Sequence, residues 1–286
     1  MNLLQMSFSG AAFITAVVMI RTVAINKLPK KTFLVLWELV ILRLLIPFSI
    51  PSMFSIYTLV THSISSTTLP ETEAHFNIPA IQGQFVTTQR MEQPASDILS
   101  SASIWFIVWC AGMILSVLFF AVSYLRCLIE FRTALPVRNH DIEKWLEEHP
   151  LKRPLSVRQS DRISTPLTYG IFRPVILMPK KMDWKNETQL QYVLSHEYVH
   201  ICRYDTVTKL IAALALCIHW FNPFVWVMYR LFNRDIELAC DESVIRQFGE
   251  KSKSAYSLML INMEAAKSGL LPFCNNFSKN AVEERI

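Results

Sequence analysis

The segment His196-Glu197-Tyr198-Val199-His200 sets two imidazoles four residues apart, with a carboxylate beside the first. On a helix, residues at that spacing share a face, so both rings can reach one metal ion. Glu197 falls on an adjoining part of the same surface, placed to act on a metal-bound water and not on the metal itself. Zinc lowers the pKa of its water, and a carboxylate in that position can take the proton and pass it to a leaving amine. The chemistry this spacing points to is zinc-dependent peptide hydrolysis. The competing reading is two exposed histidines on an ordinary helix, and a third ligand would separate the two.

A third ligand is available downstream. The stretch Arg234 to Glu242 has helical character, and within it Glu237 and Asp241 are four apart and share a face. Glu237 as a carboxylate ligand completes the three-ligand, open-position arrangement of a catalytic zinc site. Asp241, one turn on, can accept the free ring N–H of a histidine ligand and fix its tautomer. Between the two motifs lies an apolar block, Ile211 to Phe232. A single membrane crossing there would part the ligands by about 30 Å of hydrocarbon. Asn222-Pro223 inside the block resolves the conflict, because proline ends a helix and disfavours helix at the residue before it. The expectation is a helical hairpin, with His219 near its tip in a structural or interfacial role beside Trp220 and Trp226.

The elements that must carry this site lie in a membrane. Of the 286 residues, 52% are hydrophobic and only 18% charged, with an excess of apolar residues gathered in long blocks. The first block, about 8–24, is followed and not preceded by basic residues, which reads as a span and not a cleavable leader. The second, about 33–60, contains Glu38 and Arg43, which should point into the helix bundle because charges facing lipid are costly. The third covers about 104–125. Residues 61–103 carry four acidic residues and only Arg90 as a basic one, whereas Arg126 to Asp205 carries thirteen Lys or Arg. The positive-inside rule then puts the N-terminus and the 61–103 loop outside, and the active site in the cytoplasm of a multi-pass cell-membrane protein. The net charge of +5 is scattered, with no nucleic-acid motif, so a bilayer is expected as partner and nucleic acid is not.

The expected fold class is mostly α and integral to the membrane, with transmembrane helices and a small α+β zincin-like cytoplasmic metallopeptidase domain. The divisions are 1–60 for two spans and a short cytoplasmic loop, 61–103 for the outer loop, 104–126 for the third span, and 127–286 for the peptidase domain with its membrane-associated hairpin at 207–232. Within that domain Asp141 to His149 reads as a short helix, Leu155 to Val157 and Pro174 to Leu177 as strands, and Tyr169-Gly170 as lying in or near a turn. Asn186 with Gln189 three residues on can start the helix that bears the histidines. The six cysteines form no Cys-x-x-Cys pair, and none lies in the outer loop, so neither a disulfide framework nor a cysteine zinc site is expected.

HEYVHICRYD, HWFNPFVW, ELACDESV and the upstream STPLTYGIFRPVILMP together resemble the membrane peptidase family of BlaR/MecR-type antibiotic sensor-transducers. The pairing of HExxH with ExxxD is the gluzincin arrangement. The resemblance implies His196, His200 and Glu237 as zinc ligands, Glu197 as catalytic base and Asp241 as partner to a ligand. It further implies an edge strand that aligns the substrate backbone by β-addition, for which Ile176, Leu177 and Met178 are the candidates. The implied activity is cleavage of a cytoplasmic repressor or of the chain itself. In the sensor members a further span and a penicillin-binding domain follow, with a Ser-x-x-Lys motif that is lacking here, so drug sensing does not carry over.

Two other readings stand beside this one: a housekeeping membrane protease similar to the prenyl-protein or heat-shock peptidases, and a non-catalytic transducer in which zinc ties helices together. Tyr204, Arg234 and His219 are candidates to steady an oxyanion, and a homo-oligomer is left open.

Overall fold

A computed structural model describes residues 3–46, 95–182, 184 and 186–267. Pro47, Pro51, most of the 61–103 loop and Cys274 lie outside the described residues. The described chain is mostly helical. It begins with α1 (Leu3–Ala24), α2 (Lys30–Leu45) and α3 (Ala95–Arg132). A small α+β segment follows, with β1 (Leu135–Pro136), α4 (His140–Glu148), β2 (Ser156–Ser160), β3 (Leu167–Tyr169) and β4 (Val175–Pro179). Four helices complete it: α5 (Glu187–Cys202), α6 (Asp205–Ile218), α7 (Pro223–Phe248) and α8 (Lys253–Lys267).

Two of these helices are, by length and composition, long and apolar enough to cross a membrane: α1 and the Ile104–Arg132 part of α3. The third apolar block is thus part of a longer helix, which begins nine residues earlier than the sequence pattern suggests and runs past its basic end. In α2 the residues Phe33, Trp37, Val40, Ile41 and Leu44 recur at helical spacing and are buried. Glu38 is exposed, contrary to the expectation for it, because it sits one residue, about 100°, past Trp37 on the helix. Arg43 is half-buried.

The apolar block 211–232 divides at His219–Asn222, between α6 and α7. The Asn222 side chain accepts from the Phe224 N–H at 2.9 Å, with Pro223 in the first turn, so α7 starts with its first donors satisfied. The same side chain donates to Ser7 O and Oγ on α1. Ile14 and Val17 of α1, Trp37 of α2, Ala212 of α6 and Met228 and Phe232 of α7 share one core. Helices α1 and α2 come close at Gly10, where a Cβ would meet the end of the Leu44 side chain.

A second core forms where α4, α5, α8 and the distal half of α7 pack on the sheet, around Trp145, Ile176, Leu194, Cys240 and Tyr256. Helix α7 belongs to both cores, so its 26 residues, about 39 Å long, join the apolar helices rigidly to the sheet region. Strand order is β1-β2-β4-β3, with β2 and β4 parallel and the outer pairs antiparallel.

That order corrects the proposed substrate strand. Ile176, Leu177 and Met178 lie in β4, which is paired on one side to β2 and on the other to β3, and all three are 0% exposed. No edge of β4 is open to a peptide. A continuous apolar run is the mark of a strand covered on both faces, which belongs in the middle of a sheet. Among the described residues, the sheet edge nearest α5 is that of β3, the short strand the sequence pattern treated as near a turn.

Candidate metal centre

Helix α5 starts where Asn186 accepts from the Gln189 N–H at 3.0 Å, and it buries Leu190, Val193 and Leu194 against the sheet core. Two turns on, it presents His196, Glu197 and His200. From α7, Glu237 faces the same spot. His196 Nε2 lies 3.2 Å from His200 Nε2, and Glu237 Oε2 lies 3.6 Å from the first and 3.7 Å from the second. Three corners of a tetrahedron with bonds of about 2.0–2.1 Å stand roughly 3.3–3.4 Å apart, so this donor set fits a divalent ion. The histidine side chains are 9% and 11% exposed and Glu237 is 31% exposed, which puts the open side of the site by the carboxylate.

Each ring is fixed from behind. His200 Nδ1 donates to Asp205 Oδ2 at 2.6 Å, and Arg203 Nε backs the same carboxylate at 3.3 Å. His196 Nδ1 donates to Tyr256 Oη at 2.8 Å, and the Tyr256 hydroxyl donates to Asp241 Oδ1 at 2.7 Å. Asp241 Oδ1 is itself 3.3 Å from His196 Nδ1. With both Nδ1 atoms so committed, both Nε2 atoms turn to Glu237. The other oxygen of Glu237, Oε1, takes Lys209 Nζ of α6 at 3.3 Å. The Glu197 carboxylate accepts from Thr168 Oγ1 of β3 at 2.6 Å.

Cys240 is the residue least foreseen. It lies with His196 and His200 in a group whose ligand atoms are all within 4.8 Å of one another. Its Sγ reaches His196 at the carbonyl, 3.3 Å, and at Nδ1, 3.5 Å, which is the side of the ring already bound to Tyr256. The Glu237 set is tighter and meets both rings at Nε2, so geometry favours the carboxylate over the thiol as third donor.

Charge couples these groups. Burial opposes protonation of His196, but Cys240, Tyr256 and Asp241 prevail and hold its pKa well above the usual imidazole range. Burial likewise opposes protonation of His200, and Cys240, Asp205 and Glu237 raise it well above that range. Dehydration of the Glu237 carboxyl is outweighed by the two histidines and Lys209, which hold it well below the carboxylate range.

Asp205, Tyr256, Lys209 and Thr168 escaped sequence reasoning. Asp205 had a signal, being the first acid after the helix that carries His200. The other three come from separate elements at no regular spacing. Of the oxyanion candidates, His219 is spent on Leu44 O at 3.1 Å, and the Tyr204 ring lies under the Arg153 guanidinium at 4.1 Å.

A sequence profile of the family described as BlaR1 peptidase M56 matches residues 1–286. The chain belongs to that family. The regulatory protein BlaR1 of Staphylococcus aureus is 26% identical over 264 residues, covering 87% of this M56 chain and 44% of the relative. BlaR1 of Bacillus licheniformis is 26% identical over 181 residues, covering 62% and 30% respectively. The methicillin resistance mecR1 protein of S. aureus is 22% identical over 118 residues, covering 41% and 20%. This M56 chain thus spans less than half the length of each of these curated relatives. Membership makes it a member of a peptidase family, and a metal suits the histidine cluster found in it.

Proposed function

We propose that this M56 chain is a membrane-embedded, zinc-dependent endopeptidase of a signalling pathway, cleaving a cytoplasmic regulator or itself. The observation that carries the reading is the convergence of His196 Nε2, His200 Nε2 and Glu237 Oε2 within 3.2–3.7 Å of one another. His196, His200 and Glu237 would hold the zinc, which would supply Lewis-acid chemistry toward a peptide carbonyl and a water. Asp205 and the Tyr256–Asp241 pair keep both imidazoles in the tautomer that offers Nε2. Glu197 takes the proton of the attacking water and delivers it to the leaving amine. A substrate backbone adds along the free edge of β3, beside the helix that bears the base. The apolar helices and the charge asymmetry around them support a multi-pass topology with the N-terminus outside and the site at the cytoplasmic face. The names of the relatives, a regulatory protein and a methicillin resistance protein, favour signalling over housekeeping.

The test uses the full chain in proteoliposomes and a fluorescence-quenched mixed-sequence peptide pool. Glu197→Gln is expected to lower cleavage by roughly 100-fold or more while one zinc per chain is retained. Equal cleavage by the variant and the wild type would overturn the reading.

A further inference from the structure

The Thr168 hydroxyl touches Glu197 and belongs to an element that the HExxH helix does not contain. Thr168 lies in β3, in register with the fully buried Ile176 of β4. Its Oγ1 donates to Glu197 Oε2 at 2.6 Å, the short length of a hydroxyl bonded to a charged carboxylate. Glu197 is 6% exposed, so a donor there offsets part of the cost of dehydrating it. The threonine side chain is branched at Cβ and restricted at χ1, which aims the hydroxyl in a fixed direction.

A second fastening holds the same strand to the same helix. Gly170, at φ +87, turns the chain directly after β3, and a Cβ there would lie 2.6 Å from Arg173 O. Just beyond it, Arg153 Nη1 donates to Ile171 O at 2.5 Å and Nη2 donates to Ile201 O of α5 at 2.8 Å. Strand β3 is thus tied to α5 at Glu197 and again one turn later at Ile201. The first tie uses a side chain the chemistry needs, and the second uses the Arg153 guanidinium between two backbone carbonyls, one of them just past the end of β3.

We propose that Thr168 is a positioning residue for Glu197, locking one carboxylate oxygen to the open-edge strand so that the base and the substrate-bearing edge hold one geometry. One oxygen is occupied by the hydroxyl, and the other is left to carry the proton. The proposal rests on the peptidase reading for the role of Glu197, whereas the tie between strand and helix does not.

Thr168→Val keeps shape and removes the donor. With a single quenched peptide chosen from the pool by wild-type cleavage, Thr168→Val is expected to lower kcat by roughly ten- to hundredfold and leave KM within about twofold. Thr168→Ser, which restores the hydroxyl, recovers most of the loss, and zinc stays at one per chain in both. Independently of activity, amide hydrogen exchange at 167–169 speeds up in Thr168→Val and in Glu197→Ala, and the double variant is no faster than either single one. Wild-type kcat in Thr168→Val, failure of serine to rescue, or additive exchange effects would each overturn the proposal. Normal cleavage by Glu197→Gln would instead remove the peptidase reading, and with it the assignment of a base for Thr168 to position, while leaving the exchange coupling intact.

Discussion

Arg21 of α1 and Asp235 of α7, 214 residues apart, form a buried two-point ion pair: Nε lies 2.9 and 3.1 Å from the two carboxylate oxygens, and Nη2 lies 2.9 Å from Oδ1. Trp37 of α2 adds an indole N–H to Oδ2 at 2.7 Å. Three helices therefore meet on a carboxylate two residues before Glu237. Removing one partner leaves the other charged and buried, which costs about 3–5 kcal/mol. Arg21→Met or Asp235→Ala should lower the unfolding midpoint of the detergent-solubilised chain and reduce zinc retention in parallel, because α7 carries both Asp235 and Glu237. Arg21→Met/Asp235→Leu together should restore much of the stability, since an apolar pair of similar volume replaces a dehydrated ionic one. Thermal melts and metal analysis of the three variants check this. A double variant as unstable as the singles would contradict it.

The hydroxyl of Tyr256 is the bridge between His196 Nδ1 and Asp241. Tyr256→Phe removes that bridge and keeps the ring, which packs edge-on against Tyr192. Groups that orient a ligand histidine in this way are worth about 10–100-fold in metal affinity. A drop of that size is expected for Tyr256→Phe, read by zinc competition with a chelating dye, with an unchanged helical spectrum. Asp205→Asn should act alike on His200, whose Nδ1 it holds at 2.6 Å. Wild-type affinity in both variants would mean that the rings are held by packing alone.

What the residue pattern revealed and what it hid follow from how far each signal reaches along the chain. The histidine pair was legible because helical period places i and i+4 on one face, and Asn222-Pro223 marked where an apolar block must turn back. Those two local facts suffice to send Glu237 toward His196. Strand order was not legible. The run Val175–Pro179 announces a strand but not its neighbours, and only the pairing with both β2 and β3 shows that it is interior. Tyr256, Thr168 and Lys209 each reach the centre from an element of their own, by tertiary packing that no periodicity encodes. Glu38 departs from the expectation for a different reason: Phe33, Trp37 and Leu44 set the phase of α2, and that phase leaves Glu38 exposed.

The protonation of the centre sets opposite pH responses for the metal-free and metal-loaded protein. His196 and His200 are raised well above 6.5, so in the metal-free fold their protonated forms add stability that is fully present below about pH 6.5 and fades as pH rises through the higher folded values. Glu237 is lowered well below 4.5, so its contribution is present above about pH 4.5 and is lost only as pH falls toward its folded value. The metal-free chain should gain most from this cluster between about pH 4.5 and 6.5. Zinc needs both nitrogens free of protons, so its affinity should climb with pH through the same raised histidine range, by about tenfold per pH unit for each proton released. Melting curves with and without zinc, taken from pH 5 to 8.5, check both signs. A zinc-induced rise in midpoint that shrinks with increasing pH would contradict the assignment of the histidines as ligands.

Glu237 and Cys240 offer rival third donors to one histidine pair, and one comparison separates them. In the tighter set, Glu237 Oε2 meets both Nε2 atoms at 3.6 and 3.7 Å, while Cys240 Sγ sits 3.5 Å from the Nδ1 that Tyr256 already holds. Cys240→Ala should therefore keep one zinc per chain, at a stability cost of about 1 kcal/mol for the lost buried sulfur. Glu237→Ala should lose most of its zinc at dye-competing concentrations, because two imidazoles alone do not make a three-ligand site. Glu237→Ala also frees Lys209, whose charge then faces the site without its carboxylate and weakens cation binding further. Cobalt substitution supplies a direct reading, since a thiolate ligand adds an intense near-ultraviolet charge-transfer band and a carboxylate does not. Such a band in the wild type, lost in Cys240→Ala, would make the thiol the ligand and leave Glu237 as the partner of Lys209.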